Sequence, residues 1–222
     1  MQKVNCFLCH STQNKTLIKI SRQISNETFS ISQCECGFSF LNPRPSEEEL
    51  SKYYTEEEYY PHSKGRGIFY RLYSVARKIT YHWKLRVIRK YTDEDIDHLD
   101  YGSGDGSFSK FLNSKKNISS LSYDPYFNNS RSLETSEKKY NTITLWHVLE
   151  HIYDLNNFFE ELNDLLTNNG KIFLAVPNFN SLEKKYFNED WAAYDLPRHL
   201  YHFNHKTLDR LLELKGYKII KR

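Results

Sequence analysis

The chain of 222 residues is long enough to bury one substantial hydrophobic core and to carry one small appendage. Its formal net charge of +3 excludes a general polycation, so any binding to nucleic acid or membrane must come from a local basic surface. No apolar run approaches the ~20 residues of a membrane-spanning helix, and the N-terminus lacks the apolar core of a signal peptide. We therefore expect a cytoplasmic protein.

All four cysteines lie before position 37, at Cys6, Cys9, Cys34 and Cys36. Clustered thiols in a cytosolic chain bind metal more often than they form disulfides, and four thiolates are the ligand set of structural zinc. Short apolar runs between polar turns predict a β-rich module over residues 1–41, which needs such a staple because its core is small. The second pair has one intervening residue instead of the usual two. Four free thiols, or His10 as a substitute ligand, remain as alternatives.

Residues 42–61 are predicted to be a linker with one short helix. The segment Asn42-Pro43-Arg44-Pro45 cannot continue a strand or helix, and Ser46, followed by three glutamates, has the pattern of a helix N-cap. Four tyrosines follow, and we expect them to pack the linker against the main domain, 62–222, in preference to lining a substrate site: Tyr53, Tyr54, Tyr59 and Tyr60.

Residues 61–91 contain nine basic residues and no acidic one. From Ile68 onward, apolar residues recur every three or four positions, which predicts a long amphipathic helix, broken at most once, with a buried apolar face. The simplest interpretation is a helix that covers a sheet and has a solvated basic back. A phosphate-bearing substrate or an anionic lipid surface is the next interpretation, and RNA the one after.

The stretch 96–108 predicts a buried strand, a glycine loop and the start of a helix. Gly102, Gly104 and Gly106 lack the Cβ atoms that would hinder positive φ or keep a ligand from the backbone. A dinucleotide fingerprint would have its third glycine at position 107, which is Ser107, so NAD is disfavoured. About 20 residues further on, Asp124 stands where a second strand would present a ribose-binding carboxylate.

Five motifs, in order, resemble those of the class I S-adenosylmethionine (SAM)-dependent methyltransferases, and the last is common in bacterial members: Leu99–Gly106, Tyr123–Pro125, Thr142–His151, Ala175–Asn178 and Pro197–Phe203. The resemblance implies an α/β, Rossmann-like sheet with helices on both faces. It also implies SAM as cofactor, with the following binding residues: Asp100, Gly102, Ser103, Gly104, Gly106, Asp124, Trp146 and His147.

We expect this sheet to be trimmed at one or both edges. Only about 17 residues separate Asp124 from the next strand, Thr142–Trp146, where related enzymes usually fit a helix and a third strand. Further along, we predict a helix over 155–166, a strand over 171–176, a final helix over 206–214 and a last strand over Tyr217–Ile220. Class I members usually end in a two-stranded hairpin, so the chain is expected to be a shortened member or a truncated product.

The segment Trp191–Phe203 concentrates tyrosine, aspartate, arginine and histidine after the fifth strand, which suits an acceptor-binding loop. It resembles a segment of zinc-carrying deoxysugar C-methyltransferases in which a histidine is a proposed base. His199 is therefore predicted as general base or acceptor-positioning group, oriented by Tyr194 or Asp195, with His147 as the second candidate. For His202 and His205, hydrogen bonding to buried backbone groups is an equal alternative.

A competing motif is His147-Val-Leu-Glu150-His151, which matches the inverted zinc-protease pattern H-x-x-E-H. That chemistry requires both histidines within a helix, whereas His147 directly follows a β-branched strand. Capping of a helix and support of neighbouring groups are the simpler roles for Glu150 and His151.

These patterns predict a SAM-dependent methyltransferase that acts on a small-molecule acceptor, such as a sugar or a lipid-linked or other phosphate-bearing intermediate. The alternatives are an RNA methyltransferase whose zinc-ribbon-like module recognises substrate, and a SAM-binding protein without catalysis. Against RNA stand the modest net charge and the sequence Leu145-Trp146-His147-Val148, which replaces a base-clamping motif. The acceptor atom and the oligomeric state stay open.

Overall fold

The computed structural model describes residues 1–21, 27–54, 68–125 and 138–222, with the backbone alone for 68–71. The chain divides into two compact units. The first comprises Met1–Thr55, Leu149–Leu155 and Val176–Arg222, and the second comprises Glu56–Val148 and Asn156–Ala175. The predicted domains 1–41, 42–61 and 62–222 stay a prediction, because this grouping does not test whether the N-terminal module folds by itself. Tyr59 and Tyr60 lie outside the described residues.

The helices and strands are numbered in chain order. The strands are β1 (Asn14–Ser21), β2 (Thr28–Cys34), β3 (Ser39–Leu41), β4 (Ile96–Tyr101), β5 (Ile118–Tyr123), β6 (Tyr140–Trp146), β7 (Leu166–Ala175) and β8 (Tyr201–His202). The α-helices are α1 (Glu47–Leu50), α2 (Ile68–Tyr91), α3 (Ser107–Asn113), α4 (Leu155–Leu165), α5 (Leu182–Phe187) and α6 (His205–Leu214).

The first unit contains an antiparallel sheet in the order β1-β2-β3-β8. The β-rich N-terminal segment is therefore present as predicted, but a distant strand completes its sheet. Phe38 packs against Tyr201 and Phe203, with ring centroids 5.8 and 5.5 Å apart. The Leu41 N–H also donates to the carbonyl of Leu200, at 2.9 Å. The core of the cysteine-bearing segment is thus shared with residues 200–203.

Helix ends in the first unit follow the local signals. Ser46 caps α1 through a capping box in which its hydroxyl accepts from the Glu49 N–H. Asn204 caps α6 in the same way with Thr207, and Gly216 follows that helix at φ +82°. The predicted strand Tyr217–Ile220 is wrong, since these residues form no strand. The Tyr217 N–H instead donates to the carbonyl of Leu212, at 2.9 Å, and closes the helix end.

The second unit contains a parallel sheet in the order β5-β4-β6-β7, which confirms the predicted α/β fold. One face carries α2 and α3, where Leu85 and Ile88 pack with Phe108 and Ile96. The other face carries α4, where Phe158 meets Tyr101 at a centroid distance of 5.2 Å. This sheet has four strands in the described part of the chain, which is consistent with the predicted trimming at its edges.

Helix α2 departs from its predicted packing. It is unbroken, and Leu85 and Ile88 near its end are buried as expected. A stripe of apolar side chains on the opposite side is exposed, at Leu72, Val75, Ile79 and Trp83. The prediction that the whole apolar face is buried is therefore wrong, because apolar residues lie on two faces and the sheet covers one.

Strand β7 begins earlier than predicted and carries a bulge. Leu166 pairs with Tyr140, and regular pairing resumes between Lys171 and Thr142, so the four residues 167–170 lie opposite the single residue Asn141. The turn-forming Asn168-Asn169-Gly170 occupies this bulge. Among the described residues, no helix combines the length and apolar character needed to cross a membrane.

Candidate functional site

The glycine loop follows β4 in the second unit, at the carboxyl end of the parallel sheet. Gly102, Gly104 and Gly106 have φ values of +71°, +55° and +66°, a backbone region that side chains disfavour. The Gly104 N–H donates to Oδ2 of Asp124, at 2.8 Å. A Cβ added at Gly104 would meet no atom within 4 Å, so there is open space beside this backbone. The loop and the predicted ribose-binding acid are thus in direct contact.

A buried polar row crosses the sheet just before this loop. The hydroxyl of Thr144 donates to Oδ1 of Asp100, at 2.7 Å, and lies 2.9 Å from Nε2 of His98. Nδ1 of His98 is 2.7 Å from the hydroxyl of Ser120. Burial raises the pKa of Asp100 to about 6 and lowers the pKa of His98 to about 3. Asp100 is therefore held beneath the loop by a hydrogen bond from Thr144, and burial destabilises its charged form.

Trp146 and His147, at the end of β6, have different surroundings. The Trp146 ring lies under the ammonium of Lys84, 4.3 Å from the ring centroid, and its buried Nε1 has no hydrogen-bond partner among the described residues. His147 is exposed, with φ +59°, and its N–H donates to the carbonyl of Ala175. The backbone thus turns sharply at His147.

The residues of this unit fit SAM. Carboxylates at the ends of two adjacent strands, Asp100 and Asp124, suit the cationic and hydroxyl groups of that molecule. The open space at Gly104 admits a ligand against the backbone. Ser103 belongs to the same turn, and its N–H donates a hydrogen bond to the carbonyl of Tyr123. All eight predicted cofactor residues lie in this unit.

The predicted catalytic residue His199 lies in the first unit, among other ionisable groups. Its Nδ1 is 2.9 Å from the carbonyl of Ala193, which can only accept, so Nδ1 carries a proton and Nε2 faces the cluster. Oδ2 of Asp195 lies 3.6 Å from that Nε2. The imidazole of His151 meets the His199 ring edge-on, with centroids 4.5 Å apart.

The two predicted orienting residues differ in their contacts. Asp195 is held by Arg198, whose Nε and Nη2 both donate to Oδ1, at 3.0 and 2.6 Å. Tyr194 is buried against Trp191, 5.2 Å between centroids, and against His202 at 6.1 Å. His202 is itself buried, and its pKa is lowered by burial and by the neighbouring His199 and Lys184.

The four cysteines converge in the first unit. Their Sγ atoms all lie within 4.8 Å of one another, with 3.5 Å between Cys6 and Cys36 and 3.4 Å between Cys9 and Cys34. At a zinc–sulfur distance of about 2.3 Å, a tetrahedral ion places sulfurs about 3.8 Å apart, so the cluster fits the ion. Burial raises the pKa of the Cys6 and Cys34 thiols, whereas a backbone hydrogen bond from Ser11 lowers that of Cys9 to about 7.

The structure also places residues that sequence reasoning assigned to lesser roles. Glu150 and His151 lie with His199, and Thr144 holds Asp100. The available signal for Thr144 was its position in a strand with an alternating polar pattern. For Glu150 and His151 the signal was the H-x-x-E-H match. The protease interpretation fails, because Leu149–His151 is a single 3₁₀ turn and His147 lies outside it.

Comparisons with known proteins identify the family of the chain. A family model described as a methyltransferase domain matches residues 71–222, more than half of the chain. The chain therefore belongs to that family, and it has the fold of a class I SAM-dependent methyltransferase. No curated protein matches the chain.

Among the solved structures that are similar to the chain, three illustrate the likeness. A SAM-dependent methyltransferase from Archaeoglobus fulgidus is 22% identical, with 65% of this chain and 71% of that chain covered and a TM-score of 0.48. A complex of the Haloferax volcanii Trm112 methyltransferase activator with a protein described as a methyltransferase gives 13% identity, 78% and 78% coverage and a TM-score of 0.52. Phosphoethanolamine N-methyltransferase 2 of Haemonchus contortus, in complex with SAM, is 14% identical. The match covers 61% of this chain and 36% of that chain, with a TM-score of 0.42. At these identities the likeness bears on the fold alone.

Proposed function

We propose that the protein transfers a methyl group from SAM to a small-molecule acceptor. The observation that carries the proposal is the contact between the Gly104 N–H and the carboxylate of Asp124, which unites the glycine loop with the acid at the end of β5. When bound, SAM supplies an electrophilic methyl group on a sulfonium.

The residues of the second unit hold and orient the cofactor in this proposal. Asp124 accepts hydrogen bonds from the ribose hydroxyls, while the loop from Gly102 to Gly106 admits the methionine end against its backbone. Asp100, held by Thr144, contributes negative potential beneath the loop. The buried Nε1 of Trp146, which has no partner in the described part of the chain, supports a role of that residue in ligand binding.

His199 activates the acceptor, as a base or as a positioning group. Its fixed Nδ1–H leaves Nε2 as the atom that can accept a proton or another ligand. Asp195 lies on the Nε2 side, with its Oδ2 3.6 Å away, where its carboxylate can orient the imidazole. Tyr194 and His147 remain the other catalytic candidates, Tyr194 by its place in the same loop.

We propose that Cys6, Cys9, Cys34 and Cys36 bind one structural zinc ion. The sulfur separations support it, since the short Cys34-Glu-Cys36 arm still brings both thiols to the other pair. Thiolate sites of this kind persist in a reducing compartment, which accords with the expected cytoplasmic location.

A phosphate-bearing acceptor fits the exposed basic side chains of α2, among them Lys78, Arg86 and Arg89. The same surface, with the exposed aromatic ring of Trp83, is what favours RNA as the second candidate acceptor. Binding to RNA would weaken steeply with added salt in proportion to the phosphates contacted, whereas a small phosphate-bearing acceptor would show a shallow dependence.

Calorimetry with SAM tests the proposal. Replacing Asp124 by alanine should weaken SAM binding by roughly 1.5–3 kcal/mol, the usual loss for a charge-assisted hydrogen bond. The exposed Asp93→Asn variant is the matched control and should bind SAM as the parent does. Equal affinity of parent and Asp124→Ala would place the ribose elsewhere, and preference for NAD over SAM would overturn the proposed function.

A further inference from the structure

We infer that Glu150, His151 and His199 form a second metal site, for a divalent transition-metal ion, distinct from the cysteine cluster. One ligand atom from each of the three residues lies within 4.8 Å of the other two. Two imidazoles and one carboxylate are the protein ligands of several catalytic zinc sites and of mononuclear non-haem iron sites. The metal site itself does not depend on the proposed methyl transfer.

Both imidazoles are held from outside the cluster, as those of metal ligands usually are. His199 donates its Nδ1–H to the carbonyl of Ala193, at 2.9 Å. Nδ1 of His151 lies 3.0 Å from the hydroxyl of Tyr54. Such outer hydrogen bonds fix the orientation of each ring and leave Nε2 as the atom available to a metal ion. His151 is thus held by a hydrogen bond at Nδ1, as His199 is.

The backbone holds the three residues in register. Glu150 and His151 are adjacent in one 3₁₀ turn, and the Leu200 N–H donates to the Glu150 carbonyl at 2.8 Å. This hydrogen bond links the turn to the loop that carries His199. The site is therefore built from two segments that a backbone hydrogen bond joins directly.

The depth of the site favours an ion as well. Glu150 is 1% exposed and His199 is 7% exposed, so bulk water competes little for the ligand atoms. Asp195 is not one of the three ligands, but its carboxylate lies beside the site, with Oδ2 3.6 Å from Nε2 of His199 and Oδ1 bonded to Arg198. The ligand atoms of this site are nitrogen and oxygen, so it prefers different metal ions from those that the sulfur atoms of the cysteine cluster prefer.

Three protein ligands leave at least one coordination position open, the arrangement of catalytic rather than structural sites. If the proposed methyl transfer holds, an ion there would bind an acceptor oxygen and lower its pKa, so His199 would act as a positioning residue rather than as a free base. This role in the reaction rests on the proposed function.

Cobalt(II) titration of the full-length protein, with the cysteine site filled and loosely bound metal removed, tests the site. We expect one Co²⁺ per chain with d–d absorption and without a thiolate-to-cobalt charge-transfer band. His199→Asn and the near-isosteric Glu150→Gln should each weaken Co²⁺ binding by about 100-fold or more. Tyr54→Phe, which removes the hydroxyl that bonds to Nδ1 of His151, should weaken Co²⁺ binding by about 10–100-fold.

The exposed His205→Asn variant is the matched control and should bind Co²⁺ as the parent does. Circular dichroism and thermal melting of each variant separate loss of a ligand from loss of the fold. Absence of Co²⁺ binding at millimolar concentration in folded parent protein would overturn the inference, as would parent-like affinity in Glu150→Gln and His199→Asn. SAM calorimetry on the same samples keeps this outcome separate from that of the proposed function.

Discussion

Two buried ionisable side chains of β4 respond to burial in opposite directions. The pKa of Asp100 rises from 3.8 to about 6, and that of His98 falls from 6.5 to about 3, because burial penalises the charged form of each. As pH falls from 6.5 toward 3, His98 lowers the stability of the fold, since the unfolded chain binds its proton more readily. As pH falls from 6 to 3.8, Asp100 raises the stability of the fold, since the folded chain binds its proton more readily.

The Asp100→Asn variant isolates the carboxylate, since His98 is common to both proteins. Above pH 6 the parent carries a buried charge that the variant lacks, and a shift of about two pKa units corresponds to roughly 3 kcal/mol at most. The variant should therefore unfold at higher urea than the parent at pH 8, and this advantage should disappear by about pH 4. If the stability of the variant relative to the parent instead grew as pH fell, the raised pKa of Asp100 would be contradicted. SAM affinity should fall at both pH values.

Gly102 combines a backbone constraint with a steric one. Its φ is +71°, and an added Cβ would lie 2.4 Å from Cγ2 of Val148. Gly104 has only the φ constraint, because its Cβ would meet open space. The two positions thus differ in what a substitution costs.

We expect Gly102→Ala to lower the free energy of unfolding more than Gly104→Ala, for which left-handed strain alone predicts about 1–2 kcal/mol. The double variant Gly102→Ala with Val148→Ala removes the methyl contact and should recover part of the loss. Urea unfolding of the single and double variants makes the comparison. Simple additivity of Gly102→Ala and Val148→Ala would show that Val148 is not the obstacle.

At the scale of the element, the two cysteine turns act as one because each contributes a thiol to both close sulfur pairs. The Cys6 turn is closed by a hydrogen bond from the His10 N–H to the Cys6 carbonyl, and the Cys34 turn by one from Gly37 to Cys34. Gly37 has φ +86°, which lets the short second arm fold back. A one-residue spacer is therefore compatible with convergence of the four sulfurs.

Elemental analysis should find one zinc ion bound to the cysteine cluster per chain, and Cys36→Ser should lose that zinc. His10→Asn is the matched control, because asparagine tolerates the φ of +59° at that position and removes the alternative ligand. A protein without stoichiometric zinc, or a Cys36→Ser variant that keeps it, would contradict the four-cysteine site. Loss of this zinc in His10→Asn alone would transfer the ligand role to His10.

At the scale of the whole molecule, the cysteine-bearing segment depends on the far end of the chain. The β3–β8 pairing and the packing of Phe38 on Tyr201 and Phe203 join residues about 160 positions apart, and all belong to the first unit. An N-terminal fragment therefore retains the four cysteines and loses much of its core.

A fragment of residues 1–55 should bind zinc but leave the amide of Leu41, which faces β8, unprotected. In the full chain the Leu41 N–H is bonded to Leu200, so its hydrogen exchange should be slow there and fast in the fragment. NMR-detected exchange on both proteins checks this. Equal protection in the fragment would instead support the independent module predicted over residues 1–41.

The sequence by itself determined the features that depend on neighbouring residues. The glycine loop with Asp124, the Ser46 capping box, the cysteine cluster and the α/β alternation are all readable, because turn, cap and periodicity signals act over a few positions. These features include the predicted metal ligands and the residues that make the loop-to-acid contact. They were enough to indicate the family.

Tertiary structure alone decided which distant segments meet. The pairing of β3 with β8, the grouping of Glu150 and His151 with His199, and the exposed apolar stripe of α2 have no local signal. The predicted strand over Tyr217–Ile220 failed for the same reason: a strand exists only where a partner ladder accepts its hydrogen bonds, whereas Tyr217 bonds back to its own helix. Local propensity cannot supply that partner, because pairing and burial are properties of the folded chain.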